Sequence, residues 1–270
     1  MPRVFEHPLI RQDGTRVWIE SRISDAMWGG EPAVHVAVVD ATEKRRIEQM
    51  KDDFVSTVSH ELRTPLTSIS GALGLIAIGM AGPVPAKQRE LVEIAANNSE
   101  RLVRLVSDIL DAQSFESGDF SLEVAPISAD AVVEEALAVN RPFLERLDAQ
   151  ANFVRRTDGA VVTGARDAMV QVLTNLLSNA AKFAGENDIE LSACVDEGWV
   201  EFVVSDRGPG IDGELVPNLF TRFARGRSVG GTGLGLYISR NLVEAQGGSI
   251  AYLPGHPGSR FVVRLPLAPT

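Results

Sequence analysis

The heptapeptide SHELRTP, residues 59–65, lies in the middle of a long stretch of helical periodicity. Apolar residues recur on both sides of it at steps of three or four, which is the narrow apolar stripe of a helix in a bundle or coiled coil. The pattern begins at Thr42 and ends near Ile78, where glycines and prolines follow. Pro65 removes one helix hydrogen bond, so we expect a kink close to this position.

A second helical stripe runs from Leu91 to Ala112 and ends before Gly118. Two long helices joined by a short loop form an antiparallel hairpin. The apolar face of such a hairpin has nothing in its own sequence to cover it, and two copies packed together would bury it in a four-helix bundle. We therefore predict a homodimer built on a helical hairpin over residues 42–118.

The segments on either side of the hairpin differ in character. Residues 119–270 mix helical and strand patterns and predict a layered α/β domain with its own core. Helices are predicted near 129–147, 167–183 and 233–246, and strands near 188–195, 199–205, 248–253 and 260–265. Residues 1–41 show two or three strands, which rarely form a stable core alone, so we expect them to be the end of a larger sheet domain.

Composition limits the classes of partner. The net charge is −10 and the isoelectric point about 5.0, which disfavours nucleic acid because phosphate binding needs a basic surface. Cys194 is the single cysteine, so no intrachain disulfide forms. The apolar stretch 66–81 is too short to span a bilayer, and the first twenty residues lack a signal-peptide pattern. We expect a cytoplasmic segment without membrane contact, which leaves open an anchor elsewhere in a longer protein.

His60 is the first candidate for chemistry. It lies two residues from Val58 and from Leu62, about 200° of helical rotation from the apolar stripe, which predicts an outward ring. An exposed imidazole with a pKa of about 6.5 is mostly neutral at pH 7 and keeps a nucleophilic nitrogen. Glu61 could accept the proton from the other ring nitrogen, and Thr64 shares the face of His60. The alternative is a pair of ordinary solvated side chains.

The second candidate is NLLSNAAKF at residues 175–183. Asn175, Asn179 and Lys182 are spaced i, i+4 and i+7, so they share one helix face. Carboxamide oxygens suit Mg²⁺, and a lysine can neutralise phosphate. A plain polar helix face is the alternative.

The third candidate is DRGPG at residues 206–210, directly after the predicted strand 199–205. A carboxylate at a strand end can accept a hydrogen bond from an amino group while the glycines let the backbone approach a flat ring. A simple turn is the alternative, because Asp and Gly favour turns.

The fourth candidate is GGTGLGL at residues 230–236, which leads into a predicted helix. Glycines expose backbone N–H groups, and a helix N-terminus favours anions. The segment is neither a Walker A loop nor a Rossmann fingerprint, because the residues that complete those motifs are missing.

Together these four segments resemble the sensor histidine kinase family. They occur in the family's order of phosphoacceptor box, asparagine box and two glycine boxes, with 27 residues from Asn179 to Asp206 and 27 from Asp206 to Gly233. The resemblance covers residues 42–270. It implies a Bergerat-type α/β sandwich that binds ATP, after a hairpin that carries the phosphoacceptor.

The resemblance implies roles for individual residues. His60 would be the phosphoacceptor with Glu61 as its proton partner, and Thr64 matches the position that assists dephosphorylation of a response regulator. Asn179 would bind Mg²⁺, with Asn175 and Lys182 near the phosphates.

The resemblance also implies residues that contact the nucleotide itself. Asp206 would bind the adenine amino group, with Gly208 and Gly210 along the ring. At the lid, the implied phosphate contacts are Thr232, Gly233, Gly235 and Arg225. Phe220 and Phe223 match the family's phenylalanine box. Seven residues separate Phe223 from Gly231, a short lid for this family that puts the contact of Arg225 in doubt.

The segment before the hairpin is similar to the last strands of a PAS sensor domain, and DATE at residues 40–43 resembles the junction that links such domains to helices. No receiver-like segment follows in the 270 residues, so the expected phosphate acceptor is an aspartate on a separate response regulator. Three other readings are an enzyme that acts mainly as a phosphatase of that regulator, a dimeric scaffold with a degenerate nucleotide site, and a related ATPase without a phosphoacceptor. The long hairpin that carries His60 argues against the third.

Overall fold

The structure is a computed structural model, and it describes residues 3–80, 82–117, 120–184, 189–224, 232–255 and 257–269. The chain divides into two compact units at Pro65 and Leu66, within its first long helix. None of the helices among these described residues has the length and apolarity needed to cross a lipid bilayer.

The first unit begins with a three-stranded antiparallel sheet. Its strands are β1 (Arg3–Ile10), β2 (Arg16–Trp28) and β3 (Glu31–Asp40), with β2 in the centre. Helix α1 (Thr42–Ala77) follows at once. Its first turn is tied to the sheet, because Thr42 Oγ1 accepts a hydrogen bond from the Trp18 N–H at 2.9 Å and the Arg45 guanidinium lies 3.7 Å from the centre of the Trp18 ring.

Helix α1 is continuous through Pro65 and passes into the second unit, where α2 (Ala86–Ser117) follows. Ser99 Oγ donates a hydrogen bond to the carbonyl oxygen of Leu66 at 3.2 Å, which links the two helices. Many apolar side chains on both helices are exposed in the single chain; they include Phe54, Leu62, Ile69, Leu91, Ile94, Leu102 and Ile109.

The α/β domain contains elements β4 to β10. Its strands are β4 (Ala125–Ser128), β5 (Ala151–Arg156), β6 (Val161–Gly164), β7 (Ile189–Asp196), β8 (Trp199–Ser205), β9 (Ser249–Pro254) and β10 (Ser259–Pro266), and its helices are α3 (Ala129–Arg146), α4 (Arg166–Ala184) and α5 (Gly235–Ala245). The main sheet has the order β5-β7-β8-β10-β9, and it is antiparallel except for the β5–β7 pair. Strands β4 and β6 form a separate antiparallel pair.

One face of the main sheet packs against the three helices. Leu191, Phe202 and Val263, on β7, β8 and β10, occupy neighbouring positions on that face and are fully buried. Leu173 and Leu176 of α4 belong to the same buried cluster. Burial of this face is the main driving force that holds the layers together, at roughly 25 cal/mol per Å² of apolar surface.

The predicted helices and strands of the α/β domain are confirmed, with small differences at their ends. Helix α5 begins at Gly235 rather than near residue 233. The strands β4, β5 and β6 were not predicted. Strands β4 and β6 are only four residues long, and runs this short carry too few alternations to stand out from loop sequence.

Candidate functional site

The side chain of His60 lies outside the described part of the structure, although its backbone belongs to α1. Glu61 and Thr64, which the sequence places beside it, are exposed on the same helix. Val58 and Leu62 of the apolar stripe are also exposed in the single chain, at 37% and 47%. The outward direction of the His60 ring therefore stays a prediction.

Asp206 follows β8 directly, and the backbone around it orients its carboxylate. Oδ1 accepts hydrogen bonds from the N–H groups of Gly208 at 2.8 Å and Ser259 at 3.3 Å. The side chain is buried, and Gly258 lies so close that a Cβ there would overlap the Asp206 carbonyl oxygen. Because both backbone donors contact Oδ1, Oδ2 is the oxygen available to an amino group of a ligand.

The first glycine segment sits between Asp206 and α4. Gly208 approaches the carbonyl oxygen of Phe183 at the end of α4 so closely that a side chain would not fit. Gly210 has φ +77°, a left-handed conformation that glycine adopts without strain. The turn therefore brings backbone, rather than side chains, to the edge of the site beside the carboxylate.

Asn175 joins α4 to the second glycine segment. Its Nδ2 donates a hydrogen bond to Ser239 Oγ of α5 at 2.9 Å, and Ser239 is fully buried. Gly235, at the start of α5, lies against the same carboxamide, because a Cβ there would come within 2.5 Å of Asn175 Oδ1. The asparagine thus fixes the N-terminus of α5 against α4, a role that the sequence pattern did not reveal.

Asn179 lies one helical turn after Asn175 and is partly buried. Among the described residues, no group of three or more His, Cys, Asp or Glu side chains converges as a metal site would require. Magnesium keeps several waters and takes one or two protein ligands besides phosphate oxygens. A single carboxamide oxygen at Asn179 next to a nucleotide therefore fits that ion.

The lid region is described only at its two ends. Phe223 has φ +60°, and Gly233 lies against its backbone so closely that a Cβ would come within 2.6 Å of the Phe223 carbonyl carbon. Thr232 Oγ1 accepts a hydrogen bond from the Leu234 N–H at 3.0 Å. Arg225, the other predicted lid residue, lies outside the described residues.

Asp108 of α2 contacts Thr232 at the lid, although no sequence motif marks this aspartate. Thr232 Oγ1 donates a hydrogen bond to its Oδ2 at 3.3 Å. Burial, with a smaller contribution from the neighbouring Asp111 charge, raises the pKa of Asp108 to about 6, against the opposing effects of Thr232, Arg104 and Lys182.

Lys182 is a second charged group whose pKa is shifted, and Asp108 is one of the charges that act on it. Partial loss of hydration around its ammonium lowers the pKa, as do the positive charges of Arg104 and Arg101 on α2, whereas Asp108 raises it. The side chain still reaches solvent. Lys182 and Asp108 are therefore electrostatically coupled across the contact between α4 and α2.

Comparison with known proteins agrees with this geometry. The sequence pattern of the family described as "Histidine kinase-, DNA gyrase B-, and HSP90-like ATPase" matches residues 164–269, and that of the "His Kinase A (phospho-acceptor) domain" matches residues 50–118. The chain belongs to the sensor histidine kinase family. The first match, to the ATPase family, covers α4, α5 and the strands between and after them, and the second covers most of the helical hairpin.

Individual members of the sensor histidine kinase family show the same relationship. Sensor protein SrrB of Staphylococcus aureus strain MRSA252 is 35% identical over 248 residues, which are 88% of this chain and 42% of SrrB. Full-length ShkA in complex with AMPPNP superimposes with a TM-score of 0.65 at 26% identity, over 81% of this chain and 46% of ShkA. The Acinetobacter baumannii histidine kinase AdeS superimposes with a TM-score of 0.57 at 26% identity, over 78% of this chain and 98% of that chain. The chain spans less than half the length of the SrrB relatives that it matches.

Proposed function

We propose that this protein transfers the γ-phosphoryl group of ATP to His60 and then to an aspartate of a separate response regulator. The observation that carries the proposal is the convergence of three of the four motifs around one site. The backbone orients the Asp206 carboxylate, and Asn175 fixes α4 to α5 beside it. The fourth motif supplies His60 on α1 as the acceptor.

In this proposal each motif binds one part of the nucleotide. Asp206 accepts a hydrogen bond from the adenine amino group, with Gly208 and Gly210 along the ring. Thr232, Gly233 and Gly235 provide N–H and hydroxyl donors for the phosphates at the N-terminal end of α5, where the helix dipole favours negative charge. Lys182 adds a positive charge, and Arg225 is proposed to reach the γ-phosphate.

Asn179 would hold Mg²⁺ through its carboxamide oxygen. The ion would neutralise charge on the phosphate oxygens during transfer. Asn175, already hydrogen-bonded to Ser239, contributes by keeping α4 and α5 in register rather than by donating directly to phosphate.

The transfer step is an in-line displacement at phosphorus. A ring nitrogen of His60 forms the new N–P bond while the bond from the γ-phosphorus to the bridging oxygen breaks, and ADP leaves with that electron pair. Glu61 accepts the proton from the other ring nitrogen, so the phosphohistidine stays neutral at the ring. Positioning and charge neutralisation account for most of the acceleration, because phosphoryl transfer needs little covalent help from a protein.

Labelling with [γ-³²P]ATP tests the proposal. Wild-type protein should incorporate label that is stable in base and lost in acid, as phosphohistidine is. His60→Gln should bind ATP normally and incorporate none, whereas Asp206→Asn should lose both binding and label. Persistent label in His60→Gln would assign the acceptor to another residue.

A phosphatase activity toward the phosphorylated regulator is a second candidate, because Thr64 lies exposed one turn after His60. Its hydroxyl is suited to orient an attacking water. Thr64→Ala should lower the rate at which phosphorylated regulator loses its phosphate and leave labelling of His60 unchanged. Equal loss of both rates would point to a change in the helix rather than in the phosphatase step.

We also propose that the protein is a homodimer through the helical hairpin. The exposed apolar side chains of α1 and α2 support this, because a single hairpin leaves them in water. Residues 1–41 are proposed to be the end of a PAS-like domain that passes its signal into α1 through the Asp40–Thr42 junction. The proposed domain boundaries remain 1–41, 42–118 and 119–270.

A further inference from the structure

Helix α2 has a polar face that differs from its apolar stripe and that contacts the α/β domain. The face is formed by Asn97, Arg101, Arg104, Asp108, Asp111 and Glu116. The first five recur at steps of three and four, so they lie along one side of the helix. We call this set the polar face of α2.

Among the residues that the structure describes, four side-chain contacts join this face to the α/β domain along its length. Arg146 donates to Asn97 at 2.8 Å, and Gln171 donates to Asp111 at 3.0 Å. Arg222 forms an ion pair with Glu116. These three contacts involve groups that the proposed nucleotide site does not use.

The fourth contact, between Asp108 and Thr232, is different because it involves the nucleotide site itself. Thr232 stands immediately before Gly233 and α5, where the phosphates are proposed to bind. Its Oγ1 carries the hydrogen bond to Asp108 at 3.3 Å. Lys182, also assigned to the phosphates, is electrostatically coupled to the same carboxylate. Asp108 is therefore hydrogen-bonded to one group that a nucleotide would need and acts electrostatically on another.

We propose that Asp108 is an internal latch: its carboxylate holds Thr232, keeps the α/β domain seated on α2, and must be displaced when the phosphates of ATP bind. The inference rests on the proposed function, since that function assigns Thr232 and Lys182 to the phosphates. A bound nucleotide would release the latch and so remove one of the four contacts that hold the α/β domain on α2, which favours movement of that domain toward His60.

The charges around Asp108 agree with a contact that breaks readily. Asp111 and Arg104 face it from α2, and Lys182 and Thr232 face it from the α/β domain. Partial burial disfavours its ionised form, so rehydration of the carboxylate when the α/β domain moves away offsets part of the cost of breaking this contact. ATP offers the same partners several phosphate oxygens and more negative charge.

Binding measurements on the full chain test the latch. The probes are MgATP and adenosine, each titrated against a fluorescent nucleotide. Asp108→Ala should bind MgATP about threefold to tenfold more tightly than wild type, because one hydrogen bond, which is long at 3.3 Å, no longer has to be broken. Its affinity for adenosine, which has no phosphates, should be unchanged. Autophosphorylation at subsaturating MgATP should rise with the binding.

Asp108→Asn separates the hydrogen bond from the negative charge. The asparagine keeps an acceptor for Thr232 and removes the charge, so its MgATP affinity should stay within about twofold of wild type. Glu100→Gln, which removes an exposed charge from the same helix, is the matched control and should also leave the affinity unchanged. If Asp108→Asn and Asp108→Ala tighten binding equally, general charge repulsion explains the result and the latch is wrong.

A double-mutant cycle checks the partner. In a Thr232→Val background, Asp108→Ala should produce no further change in MgATP affinity. A full effect in that background would overturn the assignment of Thr232. Wild-type labelling on His60 together with unchanged binding in Asp108→Ala would refute the latch and leave the kinase proposal intact, whereas absence of ATP binding in every variant would refute the kinase proposal itself.

Discussion

Replacement of Asp108 by asparagine should stabilise the second compact unit at neutral and alkaline pH. Burial raises the pKa of Asp108 from its ordinary value of 3.8 to about 6. The folded state therefore binds a proton more tightly than the unfolded chain does. The contribution of Asp108 to the free energy of unfolding therefore becomes more favourable as the pH falls from 6 toward 4. Above about pH 6 the side chain is ionised in the folded state, and its ionised form destabilises the fold.

The size of the effect follows from that difference. The interval between 3.8 and about 6 corresponds to an upper bound of about 3 kcal/mol, at about 1.4 kcal/mol per pH unit. The side chain keeps contact with water, and solvent screening reduces this to about 1–2 kcal/mol. Asparagine carries no charge at any pH, so Asp108→Asn should be more stable than wild type by about 1–2 kcal/mol at pH 8 and nearly equal to it at pH 4.

Urea denaturation at pH 8, 7, 6, 5 and 4 measures this difference. The chain has three tryptophans, so a background with Trp18→Phe and Trp28→Phe leaves Trp199 on β8 as the reporter of the α/β domain. Glu100→Gln in the same background is the control for removal of an exposed charge. A free-energy difference between Asp108→Asn and its background that does not change with pH would refute the burial of this carboxylate.

Three further predictions concern other parts of the molecule. Ser239→Ala leaves Asn175 Nδ2 without its acceptor and should cost about 1–3 kcal/mol in urea denaturation, with weaker MgATP binding; unchanged binding would show that α5 does not need this contact. Leu102→Asp introduces a charge into the proposed dimer face. Each protomer loses the burial of one leucine, about 2 kcal/mol, so dimerisation should weaken by roughly a thousandfold in analytical ultracentrifugation. An intact dimer would place the interface elsewhere. Phe202→Ala opens a cavity under α4 and should destabilise the α/β domain by about 3–5 kcal/mol, and a loss below 1 kcal/mol in the same urea assay would contradict the burial of that ring.

Periodicity alone was sufficient to predict the long elements. The stripe through α1 and the alternation in β8 are local patterns, because a helix or a strand repeats its environment every few residues. The four motifs were also readable, since each is a contiguous run of residues with unusual chemistry. Neither the two-stranded β4–β6 pair nor the central position of β8 could be read in this way.

Contacts between distant residues were beyond the reach of local pattern. Ser239 is 64 residues from its partner Asn175, and Asp108 is 124 residues from Thr232. A serine inside a helix and an aspartate on a polar helix face look ordinary in sequence, because nothing nearby distinguishes them from solvated side chains. Their roles exist only because packing of α2, α4 and α5 brings the partners within hydrogen-bonding distance.

The amino-acid sequence was thus enough to establish the family, the helical hairpin and the residue types of a nucleotide site, because these depend on composition and spacing within short segments. The folded chain was needed to show that the backbone orients Asp206, that Asn175 holds the N-terminal part of α5 against α4, and that Asp108 accepts a hydrogen bond from Thr232. The physical reason is that hydrogen-bond geometry and desolvation depend on which atoms meet in space, and that information is distributed over the whole chain.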